Sequence, residues 1–492
     1  MNARRFLVAA CLPLFLGGGL RAQSYTWVSS TENEVWKQST VKLQGRQETT
    51  PQLEVKDTGS GVVFRNWGTC FNELGWDALN VLTRQEQDEI LGKLFAPDGD
   101  LRFTMGRFSM NANDYARGWY SCDEVTGDFS LKFFTIERDK QALIPYIRAA
   151  QKFNPDLTFW ISPWSPPSWM KVNGDYPVRS DKQYNRMCPL SDVLLFGEGS
   201  AKQEGVFPER LAVNDYMIQD PRFLQAYADY FCRFISAYKE QGIPVKMVMY
   251  QNEAYSYTPY PGCAWTAEGT IRFNADYLAP TLQKNHPDVE LYLGTINTNR
   301  YDYIDKILSD PTLRRSIKGV GFQWEGGQIL PAIRAKYPEL KYVQTESECG
   351  WGSFDWKSGE HTFKLLNHYI GNGCEEYTFW NAILCDDGMS TWGWKQNALI
   401  RVDSQKRIAT FTPEYYAVKH YTHYLQPGSR VLSCHFAEED KMPVLVALTP
   451  QKKYVVMAGN FNEEARQLTL KLGNRYLNAE LPPHSYNTFV AE

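Results

Sequence analysis

Two glutamates stand directly after short apolar runs that lie far apart in the chain. Asn252 and Glu253 follow the run of residues 245–251, and Glu346 follows the run of residues 341–345. Cleavage of a glycosidic bond needs one carboxylic acid to protonate the leaving oxygen and one carboxylate to meet the cationic sugar carbon. We therefore predict Glu253 and Glu346 as a catalytic pair, provided that the fold brings the ends of these two runs together.

Each glutamate alone has a simpler explanation, because a carboxylate at a strand end commonly anchors a loop or pairs with an arginine. The joint placement of the two is what favours catalysis. Glu348 competes with Glu346 for the second role, since side-chain alternation would put both on the same side of a continued strand. Glu346 comes first after the apolar run, and Cys349-Gly350 indicates a loop, so we predict Glu346.

Other polar and aromatic residues follow neighbouring runs. Asn252 is placed to hydrogen-bond the 2-OH of a sugar, a bond that strengthens in the transition state. Asp114 can accept hydrogen bonds from two vicinal hydroxyls. Trp164 offers an apolar face to a sugar ring, with core packing as its alternative role. Trp324, Glu325 and Trp380 end two further runs and complete the predicted substrate-binding set.

These residues can form one site only in a fold that brings the ends of many strands close together. Short apolar runs alternate with longer amphipathic stretches between residues 67 and 427, which is typical of strand-helix units around a parallel sheet. The predicted strands cover residues 67–71, 101–109, 157–162, 245–251, 290–295, 319–324, 341–345 and 376–380. Eight strands close a (β/α)₈ TIM barrel, whose active sites lie at the carboxyl ends of the strands.

The predicted helices fall between these strands. Thr83 to Glu86 forms a capping box that opens an amphipathic run. Residues 220–241 carry apolar side chains at helical spacing, and residues 412–425 are the predicted last barrel helix.

The flanks of the barrel region read as short strands separated by turns. We expect both chain ends to form one all-β side sandwich packed on the barrel. The predicted organisation is a signal peptide at 1–22, side-domain strands at 23–66, the catalytic α/β barrel at 67–427 and a β-sandwich at 428–492.

The amino terminus has the features of an export signal. Two arginines precede the apolar residues 6–20, and a small residue, Ala22, is the expected last residue removed. A lipid anchor at Cys11 is an alternative that would leave only about five apolar residues before the cysteine. We therefore expect an exported protein, periplasmic, cell-surface or extracellular, without a stable membrane anchor.

Composition excludes several classes of function. The formal charge is −4, and it becomes −7 once the three arginines of the predicted leader are removed. A negative net charge does not favour binding to nucleic acid. The cysteines form no C-x-x-C, and H-E-x-x-H is absent, so we predict neither a metal nor a cofactor. The nine cysteines after the leader are an odd number, so at least one thiol is free, and their pairing stays open. The 15 Trp and 29 Tyr suit a carbohydrate substrate.

Four segments in order resemble family 30 of the glycoside hydrolases, the family of lysosomal glucosylceramidase and of β-1,6-glucanases. They are "SPWSPPSWMKVNG", "QNEAYSYTPYPGCAWTAE", "TESECGWGS" and "TFWNAI". The resemblance covers essentially the whole chain after the leader and implies a retaining β-glycosidase on a (β/α)₈ barrel. It implies Glu253 as acid/base and Glu346 as nucleophile. It also implies supporting and sugar-binding roles for Arg107, Asp114, Trp164, Trp380 and Asn397.

Departures from the family pattern concern the substrate. Ala254 replaces the proline that commonly follows the acid/base. Gln323-Trp324-Glu325 replaces a His-x-Tyr, so the tyrosine that orients the nucleophile is missing, and Glu325 is free to bind a hydroxyl or to raise the pKa of a neighbouring carboxyl. An insertion around residues 176–210 is expected over the cleft.

Several functions remain open from the sequence. The first expectation is a secreted enzyme that cleaves β-glucan, either an endo-β-1,6-glucanase or a glucosylceramidase-like β-glucosidase. A β-xylosidase, β-fucosidase or β-galactanase of the same family is the alternative. A barrel that only binds glycans is the alternative of another class, although a binding protein has no need of two opposed carboxylates. Linkage, endo or exo action and oligomeric state are not determined by these patterns.

Overall fold

The computed structural model describes residues 24–45, 50–57, 59–185, 187, 212–433 and 440–491. The predicted signal peptide lies outside the described residues, as do residues 188–211 of the predicted insertion. Within the described ranges no helix is both long enough and apolar enough to cross a bilayer.

Three strands precede the barrel: β1 (Ser24–Thr31), β2 (Glu34–Lys42) and β3 (Leu53–Val55). The barrel strands are β4 (Asn66–Phe71), β5 (Met105–Met110), β6 (Thr158–Pro163), β7 (Val245–Met249), β8 (Glu290–Ile296), β9 (Gly319–Gln323), β10 (Lys341–Glu346) and β11 (Glu376–Asn381). Each pairs in parallel with its neighbour, and β11 pairs with β4 to close the ring. The predicted TIM barrel is confirmed.

Every barrel strand differs from its predicted bounds by at least one residue, and two of these differences have a clear reason in the backbone. The second barrel strand starts at Met105 rather than at residue 101, because the amides of Leu101 and Phe103 donate to carbonyls at the end of the preceding helix. The sixth strand ends at Gln323, because Trp324 has a left-handed backbone with φ of 48° and begins a 3₁₀ turn.

Helices occupy the outside of the barrel. They are α1 (Glu73–Asn80), α2 (Arg84–Phe95), α3 (Leu143–Gln151), α4 (Pro221–Glu240), α5 (Ala267–Arg272), α6 (Ala279–Asn285), α7 (Tyr301–Ser309), α8 (Pro311–Ser316), α9 (Leu330–Lys336), α10 (Trp356–Gly371) and α11 (Pro413–Thr422). The capping box is present at α2, where Thr83 and Glu86 exchange side-chain and backbone hydrogen bonds. Asp220 and Thr412 cap α4 and α11, so these predicted helices are confirmed to within a few residues.

One small sheet lies between the last barrel strand and the last helix. It consists of β12 (Ile383–Cys385), β13 (Ile400–Asp403) and β14 (Ile408–Phe411), and the sequence patterns did not predict it. The sheet holds both ends of the loop of residues 386–399, which reaches the mouth of the barrel.

Both chain ends form the side domain, as expected. Its later strands are β15 (Arg430–Ser433), β16 (Val444–Leu448), β17 (Tyr454–Asn460), β18 (Arg466–Leu472), β19 (Arg475–Leu481) and β20 (Ser485–Ala491). One sheet has the order β15-β16-β17-β20-β1-β2, and the facing sheet has the order β19-β18-β3. The pairing is antiparallel except between β18 and β3, which run parallel. Apolar side chains from both sheets form a shared core.

The side domain packs on the barrel through α10 and α11. The imidazole of His420 on α11 lies within hydrogen-bond distance of Ser30 and Thr488 on the side sheet, at 2.9 Å from each hydroxyl. Trp356 on α10 stacks on Tyr486 with ring centroids 4.5 Å apart.

Large side chains fill the interior of the barrel. Met105, Trp160, Met247, Met249 and Tyr292 form an apolar layer there together with Val343. The barrel is therefore a packed core, and the chemistry is confined to its mouth. Among the described residues the cysteines are free thiols, at positions 70, 122, 232, 263, 349, 374 and 385, whereas Cys188 and Cys434 lie outside them.

Candidate active site

The carboxyl ends of the barrel strands surround a cavity of about 540 Å³. This volume falls within the range of about 300 to 1,000 Å³ that is usual for small-molecule sites. The cavity brings together seven of the residues predicted from the sequence: Asp114, Trp164, Asn252, Glu253, Trp324, Glu325 and Glu346.

Arg107 lies fully buried at the base of this cavity. Its guanidinium donates to Glu346 Oε2 at 2.8 Å and to Asn252 Oδ1 at 2.6 Å. The same group lies 4.6 Å from the ring centre of Trp164 and 5.2 Å from that of Trp380. A planar cation that forms directed hydrogen bonds and stacks on aromatic rings is a role that lysine cannot fill. Arg107 thus links the ends of β5, β7 and β10, in agreement with its predicted supporting role.

Each oxygen of the Glu346 carboxyl has a donor. Oε2 accepts from Arg107, and Oε1 accepts from the indole N–H of Trp324 at 3.0 Å. Glu348 points elsewhere, because its carboxylate lies 2.7 Å from the imidazole of His361 on α10 and does not line the cavity. The geometry therefore favours Glu346 over Glu348.

Each oxygen of the Glu253 carboxyl also has a donor. Oε1 accepts from the side-chain amide of Gln323 at 2.8 Å, and Oε2 accepts from the hydroxyl of Ser256 at 2.7 Å. The amide of Asn297 donates to that hydroxyl at 2.7 Å. Glu253 has a left-handed backbone with φ of 49°, a strained conformation of the kind that clusters at functional sites. This turn directs Asn252 and Glu253, which are consecutive residues, to the same cavity.

The site holds more acids than it can ionise together. Burial and the charge of Glu346 raise the pKa of Glu253 to about 7. Burial raises the pKa of Glu346 too, but Arg107 and Trp324 oppose that rise. Burial and the two glutamates raise the pKa of Asp114 well above its usual range. One buried arginine cannot neutralise three carboxylates, so each of these acids disfavours the charged form of the others.

Glu325 lines the cavity at some distance from this chemistry. Burial and the charge of Glu348 raise the pKa of Glu325. The carboxyl that neighbours Glu325 is therefore Glu348, whereas the sequence left open a neighbouring carboxyl or a substrate hydroxyl as its partner.

Two predicted substrate-binding residues do not line the cavity. Trp380 is fully buried and stacks on Trp164 with ring centres 5.4 Å apart, so it supports the wall from behind. The side-chain amide of Asn397 donates to the buried carboxyl of Glu414 at the start of α11. The neighbouring Gln396 lines the cavity instead. Direct sugar contacts were predicted for both residues by resemblance, and the structure assigns them to the layer behind the cavity.

Apart from the insertion after β6, sequence reasoning missed the loops that build the cavity walls. Residues from the loops after β6, β7, β10 and β11 contribute Arg179, Asp181, Tyr184, Tyr257, Thr258, Pro259, Tyr260, Trp351, Trp392 and Trp394. The loops after β6 and β11 touch, because Trp392 Nε1 donates to the hydroxyl of Tyr176 at 3.4 Å. The described part of the predicted insertion therefore does reach the cleft. The sequence signal for the loop after β11 is the density of tryptophans in "TWGWKQN".

The described residues contain no cluster of three histidine, cysteine or acidic side chains arranged to hold a metal ion. The polar groups that line the cavity include carboxyls, amides, hydroxyls and a guanidinium, whose oxygens and N–H groups match the hydroxyls of a sugar.

Comparison with known proteins agrees with this geometry. The profile of the glycosyl hydrolase family 30 TIM-barrel domain matches residues 64–181 and 216–425. The chain is 25% identical to lysosomal acid glucosylceramidase of Mus musculus, over 84% of this chain and 78% of that one. It is 23% identical to endo-1,6-β-D-glucanase neg1 of Aspergillus fumigatus, over 90% of this chain and 88% of that one.

The fold also matches solved structures. SrfJ from Salmonella typhimurium superposes with a TM-score of 0.81 at 20% identity, over 95% of this chain and 99% of that chain. At this identity the likeness concerns the fold, whereas the family profile covers well over half of the sequence. The chain therefore belongs to glycosyl hydrolase family 30 and is a glycoside hydrolase.

Proposed function

We propose that the protein is a retaining β-glycoside hydrolase with Glu346 as nucleophile and Glu253 as acid/base. The observation that carries this proposal is that buried Glu346 and half-buried Glu253 line one cavity and each carboxyl is held by its own donors. Arg107 favours the charged form of Glu346, as a nucleophile requires, whereas burial and the charge of Glu346 raise the pKa of Glu253 to about 7, as an acid catalyst requires.

The reaction has two displacements on this proposal. Glu346 attacks the anomeric carbon while Glu253 gives its proton to the departing oxygen, and a covalent glycosyl-enzyme forms. Glu253, now a carboxylate, then takes a proton from water, whose oxygen attacks the same carbon and releases Glu346. Asn252 lies beside both carboxyls, with its Oδ1 held by Arg107, and its amide N–H group is placed to donate to the sugar 2-OH.

Proton NMR of the released sugar tests this mechanism. The β anomer is expected first, before mutarotation, because two inversions at one carbon restore the configuration. Initial release of the α anomer would rule out Glu346 as a covalent nucleophile.

The substrate that we propose is a β-linked glucoside, from a β-1,6-glucan or from a glycolipid. The support is the family membership together with relatives named as glucosylceramidases and as endo-1,6-β-glucanases. The cavity rim carries Trp351, whose side chain is 64% exposed and lies 5.3 Å from the ring of Trp394. Such a surface suits a sugar or an apolar group attached through the leaving oxygen.

A panel of aryl β-glycosides and β-linked oligosaccharides tests the substrate. Turnover should be highest with glucose in the glycone position. A preference for xylosides, fucosides or galactosides would replace the glucan proposal by another activity of the same family.

The pH dependence of kcat/KM follows from the acid/base group. Glu253 must carry its proton in the free enzyme, and its pKa is raised to about 7 by burial and by Glu346. Activity is therefore expected to fall as the pH rises through about 7, instead of through the usual value near 4.3 for glutamate. A basic limb with a midpoint below about 5 would contradict the assignment.

We also propose that the protein is exported, because the predicted leader of residues 1–22 has the charge and apolar pattern of a signal peptide. Amino-terminal sequencing of the mature protein from its native cells should then start at Gln23. An intact Met1 would contradict cleavage.

A further inference from the structure

The last residue of β9, Gln323, and the first residue of the turn that follows it, Trp324, both reach the catalytic carboxyls. In an extended strand the side chains of Gln323 and Trp324 would point to opposite faces. The left-handed backbone of Trp324, with φ of 48°, breaks the alternation and turns its indole into the cavity. Left-handed backbone at a residue with a large side chain is costly and persists where the surrounding structure enforces it.

Gln323 is fully buried and its side-chain amide has a defined orientation. Its oxygen accepts from the hydroxyl of Thr345 at 2.8 Å, so its nitrogen faces the cavity side. That nitrogen lies 2.8 Å from Glu253 Oε1 and 3.4 Å from Asn252 Oδ1. The amide is therefore a donor to the acid/base carboxyl.

Trp324 plays the corresponding part for the other carboxyl. Its indole N–H donates to Glu346 Oε1 at 3.0 Å, while Arg107 occupies Oε2. The indole thus stands where the resemblance implied that a tyrosine was missing.

We propose that Gln323 and Trp324 act together as non-titrating positioning residues, Gln323 for Glu253 and Trp324 for Glu346. The inference rests on the proposed function, because it assigns roles relative to that pair. An amide and an indole donate at every accessible pH, whereas an imidazole or a phenol at the same place can change its charge. The hydrogen-bond donors of the site therefore stay constant while Glu253 loses and regains its proton and Glu346 forms and breaks its bond to the sugar.

Each donor is expected to act mainly on a different limb of the pH profile. A donor to a carboxylate stabilises its charged form and lowers its pKa. Gln323 lowers the pKa of Glu253 in this way. Trp324 lowers the pKa of Glu346, and Gln323 lowers it to a smaller extent. Other titratable or charged groups that face the pair are Arg107 on β5, Asp114, Tyr260, Cys349 and Cys70 on β4.

Gln323→Met tests the first half, because it keeps the length of the side chain and removes its donor. The pKa of Glu253 should rise, so the basic limb of kcat/KM should move up by about one pH unit, as the loss of one hydrogen bond to a charged group implies. The acidic limb should move up by less. The matched control is Gln85→Met on the exposed face of α2, which should leave both limbs unchanged.

Trp324→Phe tests the second half, because it keeps an aromatic ring and removes the N–H. The pKa of Glu346 should rise, so the acidic limb should move up by about one pH unit while the basic limb stays in place. The matched control is Trp27→Phe in the side domain, which also loses an indole hydrogen bond, to Asn487 at 3.0 Å. If Trp324 had only a structural role, Trp324→Phe would lower activity without shifting the acidic limb relative to the basic limb.

The outcomes separate this inference from the function on which it rests. Active, folded variants whose limbs stay within about 0.2 pH unit of the wild type would overturn the inference, since a one-unit shift is the expected scale. A wild-type protein that cleaves no β-glycoside would overturn the proposed function and the inference with it. If Gln323→Met lowers Tm too far for assay, Gln323→His provides the alternative. Its imidazole should add a third titration near about 6.5, and an unchanged profile would again contradict the inference.

Discussion

Glu346→Gln is expected to reduce kcat on every β-glycoside by about 10⁵- to 10⁶-fold, the scale of loss when a covalent nucleophile is removed. The neutral amide cannot form the glycosyl-enzyme, and it leaves the buried Arg107 without its charged partner. Leaving-group activation should not restore the rate, because the attacking atom itself is gone. Steady-state kinetics on an aryl β-glucoside and on an oligosaccharide measure the effect.

The chain offers a control for that substitution two residues away. Glu348→Gln removes a carboxylate that pairs with His361 outside the cavity, so kcat should stay close to that of the wild type. If Glu348→Gln abolished activity and Glu346→Gln retained it, the nucleophile assignment would be wrong. In Glu346→Ala, added azide should restore turnover and give the α-glycosyl azide, because the small anion attacks once from the vacated side.

Glu253→Gln is expected to show a loss that depends on the leaving group. For alkyl or sugar leaving groups kcat/KM should fall by about 10²- to 10⁴-fold, the usual contribution of general acid catalysis. For a dinitrophenyl leaving group, which departs without a proton, kcat/KM should change little. The second displacement still lacks its base, so the glycosyl-enzyme should accumulate and appear as a burst of dinitrophenol.

Glu325→Gln is the matched comparison, because Glu325 lines the same cavity and is bonded to neither catalytic carboxyl. Its effect should be similar for all leaving groups. If kcat/KM of Glu253→Gln fell by the same factor on dinitrophenyl and alkyl glucosides, Glu253 would not be the acid catalyst. With added azide, Glu253→Ala should give the β-glycosyl azide, whereas Glu346→Ala should give the α-glycosyl azide. The configuration of the azide product therefore distinguishes the nucleophile from the acid/base.

The barrel and the carboxylate pair were predictable because their signals are local. Each barrel strand is a short apolar run, and the residue that follows such a run lies at the mouth of a parallel barrel. Glu253 and Glu346 could therefore be paired from their positions alone, without any knowledge of the distance between them. The side domain was predictable for the same reason, since its strands alternate with clear turns.

The roles of Trp324 and Asn397 were not predictable from such signals. The donor role of Trp324 depends on one left-handed backbone angle, which the residue type does not favour. Asn397 looked like a sugar ligand by resemblance, but a buried acid, Glu414, takes its amide. The contact of Tyr176 with Trp392 joins loops more than two hundred residues apart, and no local pattern records such a meeting.

The pairing of β1 with β20 has a consequence for how the protein folds. Tyr25 lies opposite Ala491, so the first described strand finds its central neighbour only among the last described residues. Contacts between residues so distant in sequence form slowly, because a very long loop must close before they contribute. Most barrel strands, by contrast, pair with the strand that precedes them in sequence. The six-stranded sheet is therefore expected to assemble last, with β1 kept as an open edge until synthesis reaches its partner.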